Sequence, residues 1–161
     1  MSVQIIIDST ADLPDRLRGA FPTVPLTVRF GEEEFVDGVT IDRQTFYERL
    51  VESDVLPTTS QATPADFLPF YENVKRAGDS AVVLTIASAL SGTYQSACLA
   101  AQDYDNIYVV DSQTAAIGTG ILAEYALLCA RQGMDAPSLT ARLEEKRQDV
   151  CLIALLDTLD A

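Results

Sequence analysis

The chain has 161 residues, 48% of them hydrophobic, with 24 acidic against 11 basic side chains and a net charge of −13. Such a chain buries one sizeable core and is neither low-complexity nor disordered in composition. Its negative balance repels phosphate backbones and anionic lipid surfaces, which argues against nucleic acid as a partner, and the absence of histidine leaves few general bases for catalysis.

Val3 to Ile7 is short, β-branched and closed by Asp8, which predicts a buried strand feeding a polar loop. Asp12 or a neighbour then caps a predicted helix over Leu13 to Ala20, with Pro14 tolerated in its first turn. A second strand is expected from Val24 to Phe30. Gly31-Glu32-Glu33-Glu34 followed by Phe35 to Gly38 predicts a turn and a short returning strand, the Glu run being a solvated tip rather than a metal site. Phe46, Tyr47, Leu50 and Val51 recur at helical spacing between Asp42, a suitable N-cap, and Ser53.

The next helix is signalled by Thr63 as cap, Pro64 at the first helical position and a stripe of Phe67, Phe70, Tyr71 and Val74. Ala81 to Ile86 is a continuous apolar run, and Ser91 opens a helix whose Tyr94, Ala97, Cys98 and Ala101 share a face. Ile107 to Val110 repeats the strand pattern and ends in Asp111-Ser112; a glycine-containing loop leads into a helix carrying Ile121, Tyr125 and Leu128. A last helix, about Pro137 to Gln148, precedes an apolar strand-like run from Cys151 to Leu156. Strands alternating with helices predict an α/β fold, a mainly parallel sheet with helices on both faces and ligands at the carboxyl ends of its strands.

Three polar segments fall at those ends: Asp8-Ser9-Thr10-Ala11-Asp12, Thr58-Thr59-Ser60-Gln61 and Ser91-Gly92-Thr93-Tyr94-Gln95-Ser96. Hydroxyls and freed backbone N–H groups gathered where helices begin hold a carboxylate or phosphate without a catalytic histidine or lysine. For any one segment, a plain helix cap explains Ser or Thr better than a ligand does; their convergence shifts the weight to an anion site. Gly92 is the more specific signal, because it lets a ligand approach the backbone closely beside the Ser91 hydroxyl.

Several enzyme readings fail on the residues. The Asp8 loop resembles a phosphatase nucleophile loop only superficially, since Thr10 stands where a second aspartate is wanted. A receiver-type domain wants a lysine after its last strand, and Leu156-Asp157-Thr158 has none. No histidine or nearby lysine activates a serine, no Gly-x-x-x-x-Gly-Lys-[Ser/Thr] loop exists, and Gly118 with Gly120 is a very weak dinucleotide signal. Cys98, Cys129 and Cys151 are odd in number and widely spaced in apolar stretches, which predicts buried thiols in a reducing compartment rather than disulfides or zinc. The amino terminus lacks a basic n-region and a cleavage site, and no run reaches the roughly 18 apolar residues of a membrane span. A soluble, cytoplasmic protein is expected.

The motifs Ile7-Asp8-Ser9-Thr10-Ala11-Asp12-Leu13-Pro14, Thr58 to Pro64, Ser91 to Ala97 and Val110-Asp111-Ser112 together resemble those of the DegV family, bacterial fatty-acid-binding proteins, in the family's order. The resemblance covers essentially the whole chain, as an N-terminal part. It implies a non-catalytic carrier of one long-chain fatty acid such as palmitate, without a cofactor or metal, its carboxylate held by Thr59 or Ser60 and by Ser91 with Gly92. Asp8, Ser9, Thr10, Thr93 and Ser112 are secondary pocket candidates. The resemblance further implies presentation of the acid to a separate fatty acid kinase subunit for phospholipid synthesis. Family members are usually longer, with a second domain closing over the acyl chain. A single 1–161 domain lacking that C-terminal lid is therefore expected, with weak or altered lipid binding and a homodimer as consequences. The alternative is a metal-assisted enzyme acting on a small phosphate or carboxylate metabolite through Asp8 or Asp12.

Overall fold

The structure, a computed structural model, describes residues 2–155. Among these, seven strands and five α-helices alternate: β1 Val3–Asp8, β2 Thr23–Val24, β3 Thr27–Phe30, β4 Glu33–Val36, α1 Arg43–Glu52, β5 Thr58–Ser60, α2 Pro64–Ala77, β6 Ser80–Thr85, α3 Thr93–Ala101, β7 Ile107–Asp111, α4 Ile117–Arg131 and α5 Ala136–Lys146. A four-stranded parallel sheet, ordered β2-β1-β6-β7, forms the centre. The fold is the expected α/β class. One face of this sheet packs Ile5, Ile7, Val82 and Leu84 against α4 and α5, and the other packs Ile6, Ala81 and Val83 against α2 and α3. Strands covered on both faces must be apolar on both faces, hence the unbroken runs in β1 and β6.

A second sheet, antiparallel and ordered β4-β3-β5, stands beside the first. The expected strand Val24 to Phe30 is thus two strands in two sheets. Pro25 lies at the break, where a missing N–H cannot continue a ladder. Glu33 and Glu34 belong to β4 rather than to the turn, with exposed side chains consistent with a solvated edge. Thr58 to Ser60, expected as loop, is an edge strand paired with Thr27 to Arg29.

Other expectations are corrected in detail. Leu13 to Ala20 holds only a 3-10 turn, Asp15–Leu17, capped by Pro14 with its ψ at 153°, so Asp12 caps nothing. Eight residues closed by Gly19 at φ +74° are too few for the costly nucleation of a stable helix. Helix α1 forms on its Asp42 cap, yet none of its residues is fully buried, and Tyr47 and Val51 of the predicted stripe are 53% and 85% exposed. In α4 the apolar residues noted in the sequence are not the inner face: Ile121 and Leu128 are exposed, while Leu122, Ala123, Ala126 and Cys129 are buried. Gly118 and Gly120 lie inside this helix, not in a loop before it. Cys151 to Leu155 is irregular and exposed, so Cys151 is not a buried thiol and the expected final strand is absent there; Leu156 lies outside the described residues. Among the described residues no helix is long and apolar enough to cross a membrane.

Helix α2 forms as the sequence predicts. Thr63 and Asp66 close a reciprocal capping box, Pro64 occupies the first turn, and Gly78 at φ +69° ends the helix in the left-handed region. Phe67, Tyr71 and Val74 bury its inner face, with the Tyr71 hydroxyl donating to the Ala97 carbonyl at 3.1 Å. The clasp fixes α3 against α2, and thereby the position of the loop that precedes α3.

Candidate functional site

The parallel sheet reverses its order at β1: β2 lies on one side of it and β6 on the other. Loops leaving the carboxyl ends of β1 and β6 therefore diverge, opening the crevice that such sheets use for ligands. Asp8 spans it. Completely buried, its carboxylate accepts from the Thr10 N–H at 2.9 Å, the Thr10 hydroxyl at 2.5 Å and the Ile86 N–H at 2.7 Å. Burial pushes the Asp8 carboxyl above its ordinary range; the Thr10 and Ile86 hydrogen bonds pull it back, and the nearby charge of Asp37 pushes it up again. This residue is an internal staple, and its oxygens are committed to protein partners.

Ser9 is likewise committed. Its hydroxyl accepts from the Leu26 N–H at 3.0 Å and its own N–H donates to Val24, tying the loop to the segment that links the two sheets. Thr10 lines a cleft of about 360 Å³, with its hydroxyl turned to Asp8. Thr59 of β5, paired with Val28 of β3, lines the opposite wall, whereas its neighbour Ser60 pairs with Thr27 and does not line the cleft. Successive strand residues point to opposite faces, so only one of the two hydroxyls can turn inward.

Ser91 and Gly92 complete the wall at the start of α3. The Ser91 hydroxyl accepts from the Thr93 N–H at 3.2 Å and lies 2.9 Å from the Thr93 hydroxyl, while Thr93 itself is fully buried. The helix begins at Thr93, not at Ser91, with Gly92 as its cap and the Ser91 hydroxyl meeting the first of its N–H groups. A Cβ on Gly92 would run into the side-chain oxygen of Gln61, which itself lines the cleft and whose amide donates to Ser96 at 3.4 Å. Alanine here would displace the Gln61 side chain, so glycine serves close approach rather than a backbone angle.

Leu26, Val28, Ile86 and Leu90 supply apolar wall beside these hydroxyls. The loop carrying Leu90 is held by Asp111. Although burial pushes its carboxyl up, hydrogen bonds from Ser88 and Gln113 and the charge of Arg147 bring it below the usual carboxylate range. Ser112 is fully buried and away from the cleft; it donates to the Thr114 carbonyl at 3.1 Å and lies 3.3 Å from Thr119, a structural role. A larger adjoining cleft, about 650 Å³, shares Val28, Asp37 and Thr59 with the first.

Of the residues singled out in the sequence, the structure thus brings Thr10, Thr59, Ser91 and Gly92 to one cleft. It leaves Asp8, Ser9, Ser60, Thr93 and Ser112 behind or beside it. Sequence reasoning missed the apolar wall and Asp37, because nothing local in Val36-Asp37-Gly38 separates a pocket carboxylate from an ordinary turn residue. Among the described residues no three His, Cys, Asp or Glu side chains group closely enough to hold a metal ion.

The family model described as "Uncharacterised protein, DegV family" matches residues 2–161. The chain belongs to the DegV family. A DegV domain-containing protein of Clostridium perfringens is 33% identical over 162 residues, covering 98% of this chain and 58% of the relative. Among solved structures, a DegV family protein from Thermus thermophilus, described by its fatty acid binding, is 35% identical with a TM-score of 0.82, covering 92% of this chain and 54% of that one. DegV of Bacillus subtilis, described as a fatty acid binding protein, is 31% identical with a TM-score of 0.83 and the same coverage. The chain spans a little over half the length of the DegV relatives it matches.

Proposed function

We propose that this chain is a non-catalytic carrier that binds a long-chain fatty acid such as palmitate, its carboxylate held in the cleft by Thr59 and Ser91 beside Gly92. The observation that supports this most directly is that Thr10, Thr59 and Ser91, from three separated segments, line one cleft together with the apolar Leu26, Val28, Ile86 and Leu90. An amphipathic ligand suits both. Two similar structures above 30% identity, described as fatty-acid-binding, support the same ligand class. The N-terminus of α3, beside Gly92, adds a favourable field for a negative head group.

The tail and head divide the work. At about 0.8 kcal/mol per buried CH₂, some 14 methylenes contribute on the order of 11 kcal/mol before ordering costs. Hydrogen bonds to a charged carboxylate, roughly 1.5 to 3 kcal/mol each, position it. Presentation to a fatty acid kinase subunit in the cytoplasm is the finer form of this proposal, and family resemblance is its support. A homodimer is a further finer form of the proposal, and the exposed Ile117, Ile121 and Leu128 of α4 are apolar surface in its favour. Nothing in the geometry favours the metal-assisted alternative, since the Asp8 oxygens are occupied by Thr10 and Ile86.

Native mass spectrometry of the purified protein, followed by extraction, tests the proposal. Extraction is expected to yield a long-chain fatty acid, or the empty protein to take up added palmitate; a protein that purifies empty and takes up no added palmitate would refute the proposal. Thr59→Ala is expected to weaken palmitate binding about tenfold or more without lowering the melting temperature, because it removes a cleft hydroxyl and no core volume; Ser91→Ala is expected to weaken binding as much and also to lower the melting temperature, because the Thr93 N–H loses its acceptor. Unchanged affinity in the double variant would sink the residue assignment.

A further inference from the structure

The hydroxyls of the cleft fall short of what a carboxylate takes, since its two oxygens accept up to about four hydrogen bonds. Among the described residues no Lys or Arg lines the cleft, and Asp37 in its wall is acidic, so neutral groups must supply the donors. The Thr10 hydroxyl is spent on Asp8 at 2.5 Å. Ser91 already meets Thr93, accepting from its N–H at 3.2 Å and lying 2.9 Å from its hydroxyl. That leaves Thr59, and Ser91 once it turns from Thr93.

Gln61 has donors to spare. It follows β5 and continues the alternation of the strand, so that Thr59 and Gln61 line the cleft while Ser60 between them does not. Its amide carries two N–H donors, and among the described residues its one hydrogen bond is to the Ser96 hydroxyl at 3.4 Å, the long end of the range. The side chain is exposed and lies over Gly92 at the start of α3, in the space that a Cβ would take. The close approach that Gly92 permits is thus made by the Gln61 amide.

We propose that Gln61 is a head-group-binding residue of this cleft, resting on the fatty-acid reading above: its amide turns from Ser96 and donates to the bound carboxylate, beside Thr59 and close to Ser91. The exchange favours the ligand, because a long bond between neutral groups is given up for one to a charged oxygen, which is about twice as strong. Being neutral, the amide adds a donor without cancelling the charge of the head group. Its place over Gly92 also brings the carboxylate to the start of α3, where the helix field is favourable.

The experiment titrates the 161-residue chain, Gln61→Ala and Gln61→Met with palmitate and with hexadecanol, and follows palmitate isotopically labelled at its carboxyl carbon by NMR. Palmitate binding is expected to weaken about tenfold in both variants, because a donor to a charged oxygen is lost, while hexadecanol binding stays within about threefold. Gln61→Met keeps an unbranched side chain over Gly92 and removes the amide, so similar losses in the two variants assign the effect to the hydrogen bond. The carboxyl resonance is expected to shift in both, which a residue that merely props the wall would not cause. Gln61→Glu, an acceptor where the carboxylate needs a donor, is expected to bind palmitate more weakly still. Palmitate affinity in Gln61→Met that is tighter than wild type or within about twofold of it, or a loss that hexadecanol shares in full, overturns the assignment and leaves the carrier reading standing. A wild-type chain that takes up no palmitate overturns the carrier reading, and the role of Gln61 with it.

Discussion

Asp8→Ala is expected to lower stability by about 4 kcal/mol, read as a displaced urea midpoint at unchanged slope. The side chain is fully buried, and its removal leaves the Thr10 and Ile86 N–H groups without acceptors. Each abandoned donor costs about 1 to 3 kcal/mol, and the Thr10 hydroxyl must also find a new partner. Asp8→Asn keeps one oxygen acceptor but turns an NH₂ group toward a donor, so it recovers only part of the loss.

The pH dependence separates charge from hydrogen bonding. Because the folded protein raises the Asp8 carboxyl above its ordinary 3.8, the stability linked to its protonation is complete below that value and is lost as pH rises through the folded value. Wild-type stability measured from about pH 4 upward should fall more steeply than that of Asp8→Asn, which does not titrate. A steeper fall in the variant would mean that folding lowers the Asp8 carboxyl instead of raising it.

Gly120→Ala is expected to cost about 3 kcal/mol, despite the greater helix propensity of alanine. A Cβ at Gly120 would enter the carbonyl oxygen of Asp12, a backbone atom that no rotamer change can move aside. The Asp12 N–H also donates to the Ala116 carbonyl at 3.1 Å, so the loop after β1 is clamped to the start of α4 at two points. Pushing it away shifts Thr10 as well, and palmitate affinity should fall together with the melting temperature. Gly118→Ala is the comparison, because its Cβ meets the Thr114 side chain rather than backbone. A Gly120 variant as stable as wild type would show that the loop is not clamped.

How far each segment is legible in the sequence depends on what it packs against. The parallel strands β1, β6 and β7 read directly, since burial on both faces demands continuous apolar runs. Helix α2 reads equally well because Thr63, Pro64 and Gly78 mark its ends chemically. Strand β5 does not, for Thr58-Thr59-Ser60 is polar and owes its conformation to pairing with β3. The inner face of α4 does not read directly, because large apolar residues suggest the inner side, whereas close approach to β1 and the Asp12 loop favours Gly, Ala and Cys there. The hydroxyls of the cleft are legible as helix-start motifs; their shared wall with Asp37 needs the second sheet.

That second sheet stands on little. Its buried cluster is Val28, Phe30 and Ile41, with Phe35 and Phe46 packed against them, while the central sheet is sealed on both sides by much larger clusters. Regions with few buried apolar side chains open at a fraction of the global unfolding free energy. The cleft takes Val28 and Thr59 from this weaker sheet and Ile86, Ser91 and Gly92 from beside the stronger one. A ligand held between them acts as a strut: amide hydrogen exchange should slow on binding in β3 and β5, and change little in β1 and β6, whose protection already approaches that of the whole molecule.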